Sequence, residues 1–110
     1  MMPEAANYID IPFVLTEYRN NELNAEEKYK GRLIETKGVV DRITLSWAGT
    51  PSLSLRPIEA SNNPFADNMT CDIDKEAART LAHGQQVTVR ARVKDVTLGV
   101  LVTEKCEIVK

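Results

Sequence analysis

The chain has little with which to attract phosphate at long range: its 110 residues hold 14 Lys and Arg against 16 Asp and Glu, a formal charge of −2. Nucleic-acid modules usually carry a strongly basic balance, so such a function here needs a local patch. Aromatic residues make up only 5% of the chain, which leaves few rings on which bases could stack. One His and two separated Cys cannot close a structural zinc site without carboxylates, and neither a metal nor a cofactor is expected. Without a glycine-rich phosphate loop, a nucleophile elbow or a paired-histidine motif, the chain reads as no enzyme.

Long apolar runs are missing as well, and nothing approaches the roughly 20 residues of a spanning helix. The opening MMPEAANYIDIPFVL lacks a basic leader and carries Glu4, Asp10 and Pro12, unlike a secretory signal. Localisation stays open, because an exported or periplasmic protein with its signal trimmed reads the same way. There is no repeat, low-complexity tract or linker. A hydrophobic content of 43% with 27% charged residues suits one folded domain over 1–110, with a tail and helix to residue 29 and a barrel from residue 30.

What is present is periodicity. Ile11, Val14, Leu15, Tyr18, Glu22, Ala25 and Tyr29 step by three and four, which predicts an amphipathic helix lying on the rest as a lid. Pro12 suits a first turn, Asp10 or Asn7 can cap it, and Asn20 and Asn21 are a place for it to break. From Lys30 the residues turn β-branched in RLIETKGVVDRITLSW, but Leu33 and Ile34 are adjacent, as are Val39 and Val40. A bulge near Gly38 would reset the parity.

AGTPS is a turn, and SLSLRPI then puts Leu53 and Leu55 inward with Ser52, Ser54 and Arg56 outward. After the polar loop EASNNPFAD, NMTCDID sets Met69, Cys71 and Ile73 on one face. Its Asn68-Met69-Thr70 fits a glycosylation acceptor but sits inside a strand. KEAARTLAH predicts a short helix capped by Asp74 and ended by Gly84, with His83 in its last turn. Gln85–Asp95 and Leu98–Val109 are the fourth and fifth strands. In VTVRARVKD, Val87, Val89, Ala91 and Val93 alternate with Thr88, Arg90, Arg92 and Lys94. Five strands with a helix between the third and fourth is the connectivity of the OB-fold, a mainly β, partly open Greek-key barrel; a small sandwich is the alternative.

YKGRLIETKGVVDRI, NMTCDID, AARTLAHGQQVTVRARV and LGVLVTEKCEIV together resemble the tRNA_anti-like family of OB-fold domains. The matching positions include Tyr29, Lys30, Gly31, Gly38, Val39, Val40, Cys71, Gly84, Gln85, Val87, Cys106 and Ile108, and the likeness runs from about residue 11 to the end. These are motifs of fold. The resemblance implies bacterial relatives that are largely uncharacterised, many of them exported or lipid-anchored, and says little about activity.

OB barrels usually bind along the outer face of the second and third strands, here Ser52, Ser54, Arg56, Asn68, Thr70 and Asp72, which carries no aromatic. Trp47 and Phe65 fall in the flanking loops and can either clamp a ligand or cover the barrel. Trp47, Arg56 and Phe65 are therefore the candidate contact surface of a non-enzymatic binding module for a protein or small ligand. Arg42, Arg90, Arg92 and Lys94 are the candidates for a weak, sequence-nonspecific nucleic-acid alternative; the same row is equally the wet side of a strand. A third class is an interaction or inhibitory partner of an enzyme, docking through the N-terminal helix. Cys71 and Cys106 share inward parities on strands that neighbour each other in such a barrel, so they form a disulfide or remain two buried thiols.

Overall fold

The structure, a computed structural model, describes residues 7–58 and 68–109. It is mainly β: a closed barrel of five strands with helices at its N-terminal side and a short helix between the third and fourth barrel strands. In chain order the elements are β1 (Asn7–Tyr8), α1 (Ile11–Asn20), α2 (Glu22–Tyr29), β2 (Leu33–Leu45), β3 (Pro51–Arg56), β4 (Asn68–Asp72), α3 (Lys75–Arg79), β5 (Gln86–Thr97), β6 (Val100–Thr103) and β7 (Glu107–Val109).

Closure comes from β2, which is long enough to serve two partners. Its first half pairs antiparallel with β5, from Leu33↔Arg92 to Val39↔Gln86, and its second half pairs with β3, from Val39↔Arg56 to Leu45↔Pro51. β4 follows β3 antiparallel, β6 lies parallel to β4 through Asn68↔Val100 to Thr70↔Val102, and β6 returns to β5. Val40, Leu53, Leu55, Met69, Val89 and Leu101 are wholly buried where the inner faces meet. On β5 the expected parity holds: Val87, Val89, Ala91 and Val93 are buried, while Arg90 and Lys94 face water.

The predicted parity break falls at Asp41 rather than Gly38. The β2–β3 register shifts between Val40 and Arg42, so Asp41 is the extra residue that turns the strand from one partner to the other. Gly38 has a different task. A Cβ there would lie 3.0 Å from the Arg56 carbonyl oxygen and 3.0 Å from Leu55 Cβ, so β3 crosses directly over it. Gly38→Ala is expected to destabilise the fold by about 1–3 kcal/mol, the cost of overpacking against backbone, as a lowered urea midpoint would show.

The helical lid follows the three-and-four spacing, with Ile11, Val14, Leu15 and Tyr18 of α1 and Ala25 and Tyr29 of α2 buried on the barrel. It breaks at Asn21, which closes α1 through its N–H to the Glu17 carbonyl and opens α2 by accepting from the Asn24 N–H at 3.1 Å. Asp10 caps α1 with its backbone carbonyl only; its carboxylate accepts instead from the Tyr8 hydroxyl at 3.1 Å. Asn7 is no cap, because it lies in β1, a two-residue strand parallel to β2 that the sequence pattern did not predict.

Two expected elements are shorter than their patterns. α3 ends at Arg79, and residues 80–85 turn toward β2, where Gly84 N–H donates to the Val40 carbonyl and Val40 N–H to the Gln85 carbonyl, both at 2.8 Å. His83 therefore leaves the helix, and its Nδ1–H donates to the Asp41 carbonyl at 2.5 Å. Asp74 makes no side-chain cap and pairs with Lys105 at 2.6 Å. The predicted fifth strand begins as a turn, with Leu98 and Gly99 both at positive φ as a tight primed turn requires, and then splits into β6 and β7. Between the two, Cys106 N–H donates to the Asp72 carbonyl at 2.8 Å, drawing the chain from β5 to β4.

Candidate functional site

Trp47 sits at the tip of the β2–β3 hairpin. The turn is held by Ser46 N–H to the Thr50 carbonyl, by Gly49 N–H to the Ser46 carbonyl at 2.9 Å, and by Thr50 N–H to Ser46 Oγ at 3.1 Å, with Gly49 at φ +80. These bonds fix the loop, yet the indole rests on nothing: Trp47 is 100% exposed and neighbouring Leu45 is 69% exposed. Beside the turn, Ile43, Leu45, Gly49 and Pro51 of the hairpin face Lys75, Ala78 and Arg79 of α3 across a groove of about 460 Å³. Arg79 is paired with Glu76 at 2.7 Å, so the groove is apolar in its floor, with Lys75 adding a further positive charge at its rim.

Arg56 lies at the opposite end of the same hairpin, about 17 Å from Pro51 at a strand's rise per residue, so the structure does not bring it to Trp47. Its guanidinium is engaged by the Asp41 carboxylate at 2.7 Å, in a pair that is largely covered. The bulge that places Asp41 thus also supplies the partner of Arg56. Phe65 lies outside the described residues.

The basic row is interleaved with acid. Arg90 Nε pairs with Glu35 at 3.0 Å across β2, and Glu107 of β7 stands opposite it on the other side. Arg92 Nη1 donates to the Gly31 carbonyl at 2.6 Å, tying β5 to the entry of β2. Lys94 is exposed. Arg42 is no neighbour of this row: past the bulge β2 pairs with β3 alone, and Arg42 stands opposite Ser54.

Cys71 and Cys106 are joined in a disulfide with Cα atoms 5.8 Å apart, inside the ordinary range for such bonds. No group of three or more His, Cys, Asp or Glu suited to a metal occurs among the described residues. Nor is any helix among them long and apolar enough to cross a membrane.

The lid spends its apolar stripe on the barrel, leaving Phe13 and Leu23 as its exposed large apolar side chains. Phe13 borders a second groove of about 460 Å³, formed with Tyr8, Lys37, Pro57 and Ile58. Sequence reading passed over these residues. The only signal available was that Phe13 falls off the buried stripe of α1 and Tyr8 precedes the helix altogether.

Beneath the lid, burial pushes the Tyr18 and Tyr29 hydroxyls above the usual tyrosine range, with the Glu26 carboxylate acting second on Tyr18 and Glu17 second on Tyr29. A group whose folded pKa is raised contributes stability that is complete below its unfolded value and lost as pH rises toward the folded one. Unfolding free energy is therefore expected to hold up to about pH 10 and to fall above it. Chemical denaturation between about pH 8 and 11 checks this, together with ultraviolet titration, in which all three tyrosines should ionise late, Tyr8 because of its partial burial and its hydrogen bond to Asp10.

A five-strand barrel closed by one long bent strand, a parallel β4–β6 pair and a helix between the third and fourth barrel strands define an OB-fold domain. The tRNA_anti-like family model matches residues 8–107, and the chain belongs to that family. Among solved structures, the chain is similar to a Klebsiella pneumoniae protein provisionally named a nucleic acid-binding lipoprotein. The TM-score is 0.73 at 17% identity, covering 99% of this chain and 100% of that one, a likeness of fold alone. No curated protein matches the chain.

Proposed function

We propose that the chain is a non-enzymatic OB-fold binding module that engages a protein or small ligand with the tip of its β2–β3 hairpin. The observation that carries this reading is Trp47, fully exposed on a hydrogen-bonded turn beside an apolar groove. Exposed tryptophan on a rigid support is the kind of anchor that dominates contact energies. Barrel folds host many chemistries, so the reading rests on this surface and not on the family. Export is supported by the buried disulfide, since such bonds persist in oxidising compartments, and by the lipoprotein name of the Klebsiella neighbour.

Trp47 is the only tryptophan, so its fluorescence reports on this tip alone. A partner captured from the native host should shift that emission to the blue, and Trp47→Ala should weaken capture by at least ~30-fold, the mark of an anchor residue. Equal capture by wild type and variant would remove the tip from the reading. Turnover of an ester, phosphate or peptide substrate would overturn its non-enzymatic part.

The name of the Klebsiella neighbour favours a second reading, weak nucleic-acid binding without sequence preference. On the β5 face Lys94 would be the principal contact, because Arg90 already serves Glu35. Titration of labelled oligonucleotide at about 50 and 200 mM salt tests it, since phosphate contacts weaken steeply over that range.

A further inference from the structure

The second groove, between β1, the first turn of α1 and the chain leaving β3, carries a pattern that the β5 face lacks. Two aromatic rings stand half out of the surface at its edge, Tyr8 at 49% and Phe13 at 54% exposure. Each has an ammonium group beside it. Lys37 Nζ lies 5.8 Å from the Tyr8 ring centroid, and Lys28 Nζ lies 5.9 Å from that of Phe13. Lys28 is held by Glu17 at 3.0 Å and remains more than half exposed. Pro57 and Ile58 form an apolar wall, and the Asp10 carboxylate, which accepts from the Tyr8 hydroxyl, lines the groove as a further acceptor.

From this arrangement we infer that the groove is a binding site for a planar heteroaromatic base carrying a phosphate, presented by a single-stranded nucleic acid or as a free nucleotide. A flat base has a face for each ring, and its exocyclic amino group can donate to Asp10. The phosphate attached to it needs a cation one side-chain length away, which is where Lys37 and Lys28 stand. The volume suits one or two nucleotides and falls within the ordinary range of ligand pockets. Duplex nucleic acid is excluded, because stacking on a side chain needs an unpaired base.

This deepens the nucleic-acid reading by moving its site from the β5 face to the lid groove. It is independent of the Trp47 tip: Lys37 and Leu45 are about 26 Å apart along β2. The two placements fail separately. Lys94→Ala should abolish binding on the β5 face, whereas the groove depends on Tyr8, Phe13 and Lys37.

The test uses the full chain with three probes: an oligodeoxycytidylate strand, deoxycytidine monophosphate and a blunt DNA duplex. Strand and mononucleotide should both perturb the amide resonances of Tyr8, Phe13 and Lys37. Tyr8→Ala and Phe13→Ala should each weaken binding about 5- to 150-fold, the equivalent of one stacked base, while Tyr8→Phe and Phe13→Tyr should retain it. Two phosphates on a single strand give a slope of log affinity against log salt near −1.4, and Lys37→Ala should reduce it to about −0.7. A strand more than about tenfold tighter than the mononucleotide identifies nucleic acid as the source, and parity identifies the nucleotide; either outcome supports the site. Three results would overturn it: no perturbation by either single-stranded probe at about 50 mM salt, a duplex bound as tightly as the strand, or undiminished binding by a Tyr8→Ala, Phe13→Ala double variant. Both rings are half exposed, so that variant should melt like the wild type.

Discussion

Replacing Cys71 and Cys106 together by alanine is expected to cost about 4 kcal/mol of stability and to lower Tm by roughly 15–25 °C. The cross-link spans 35 residues, and opening a loop of that length returns this much conformational freedom to the unfolded chain. Its position makes the loss harder to absorb. β4 and β6 pair over only three residues, and beyond Thr103 the chain must leave β6, reach Asp72 with the Cys106 N–H, and re-enter beside β5 as β7. The disulfide fastens that crossing. Urea denaturation of wild type and double variant measures the difference, and amide exchange at Cys106 and Ile108 should quicken first. Equal midpoints would show that hydrogen bonding alone holds β6 and β7. Because both cysteines are buried, a mild reductant should act only through opening of this end of the barrel.

The barrel was legible wherever side-chain alternation meets one wet and one dry face. Residues 87–93 are the clearest case, and Leu53, Leu55, Met69 and Cys71 behave in the same way. The adjacent pairs Leu33–Ile34 and Val39–Val40 announced an irregularity but did not locate it. A bulge is placed by the register between strands, and the Asp41 position follows from Gly38 packing under Arg56 and from His83 and Gly84 bonding at the same turn. α3 was overextended because Lys75–His83 is good helical sequence, and two backbone bonds to β2 override it.

The candidate site was less legible for a related reason. Trp47 could be placed on a turn from Gly49 and Pro51, but whether it folds back is decided by the space around it. The pairing of Arg56 with Asp41 and of Arg90 with Glu35 depends on which residues the register sets opposite each other. The lid groove was the least legible part. β1 has two residues and exists only because the edge of β2 is there to receive it, so nothing local in Asn7-Tyr8 could announce it.

Tyr29→Ala is expected to cost about 3–5 kcal/mol, comparable with loss of the disulfide, although Tyr29 lies outside the barrel strands. It ends α2, is 1% exposed, and stacks against Tyr18 of α1 with ring centroids 6.3 Å apart, so one side chain holds both helices to the barrel. Leu101→Ala, at a wholly buried position on β6, should cost about 2–5 kcal/mol, but in a different place. Amide exchange separates them: the Tyr29 variant should loosen α1 and α2 while β3 and β4 stay protected, whereas the Leu101 variant should raise exchange around β4, β5 and β6. A Tyr29→Ala cost below about 1 kcal/mol, the range of an ordinary surface change, would mean that the lid rests on the barrel without belonging to its core. Phe13 rides on α1, so a loosened lid also carries one of the two rings away from Tyr8 and Lys37. Base binding in the groove should therefore fall in Tyr29→Ala and persist in Leu101→Ala under conditions where both remain folded.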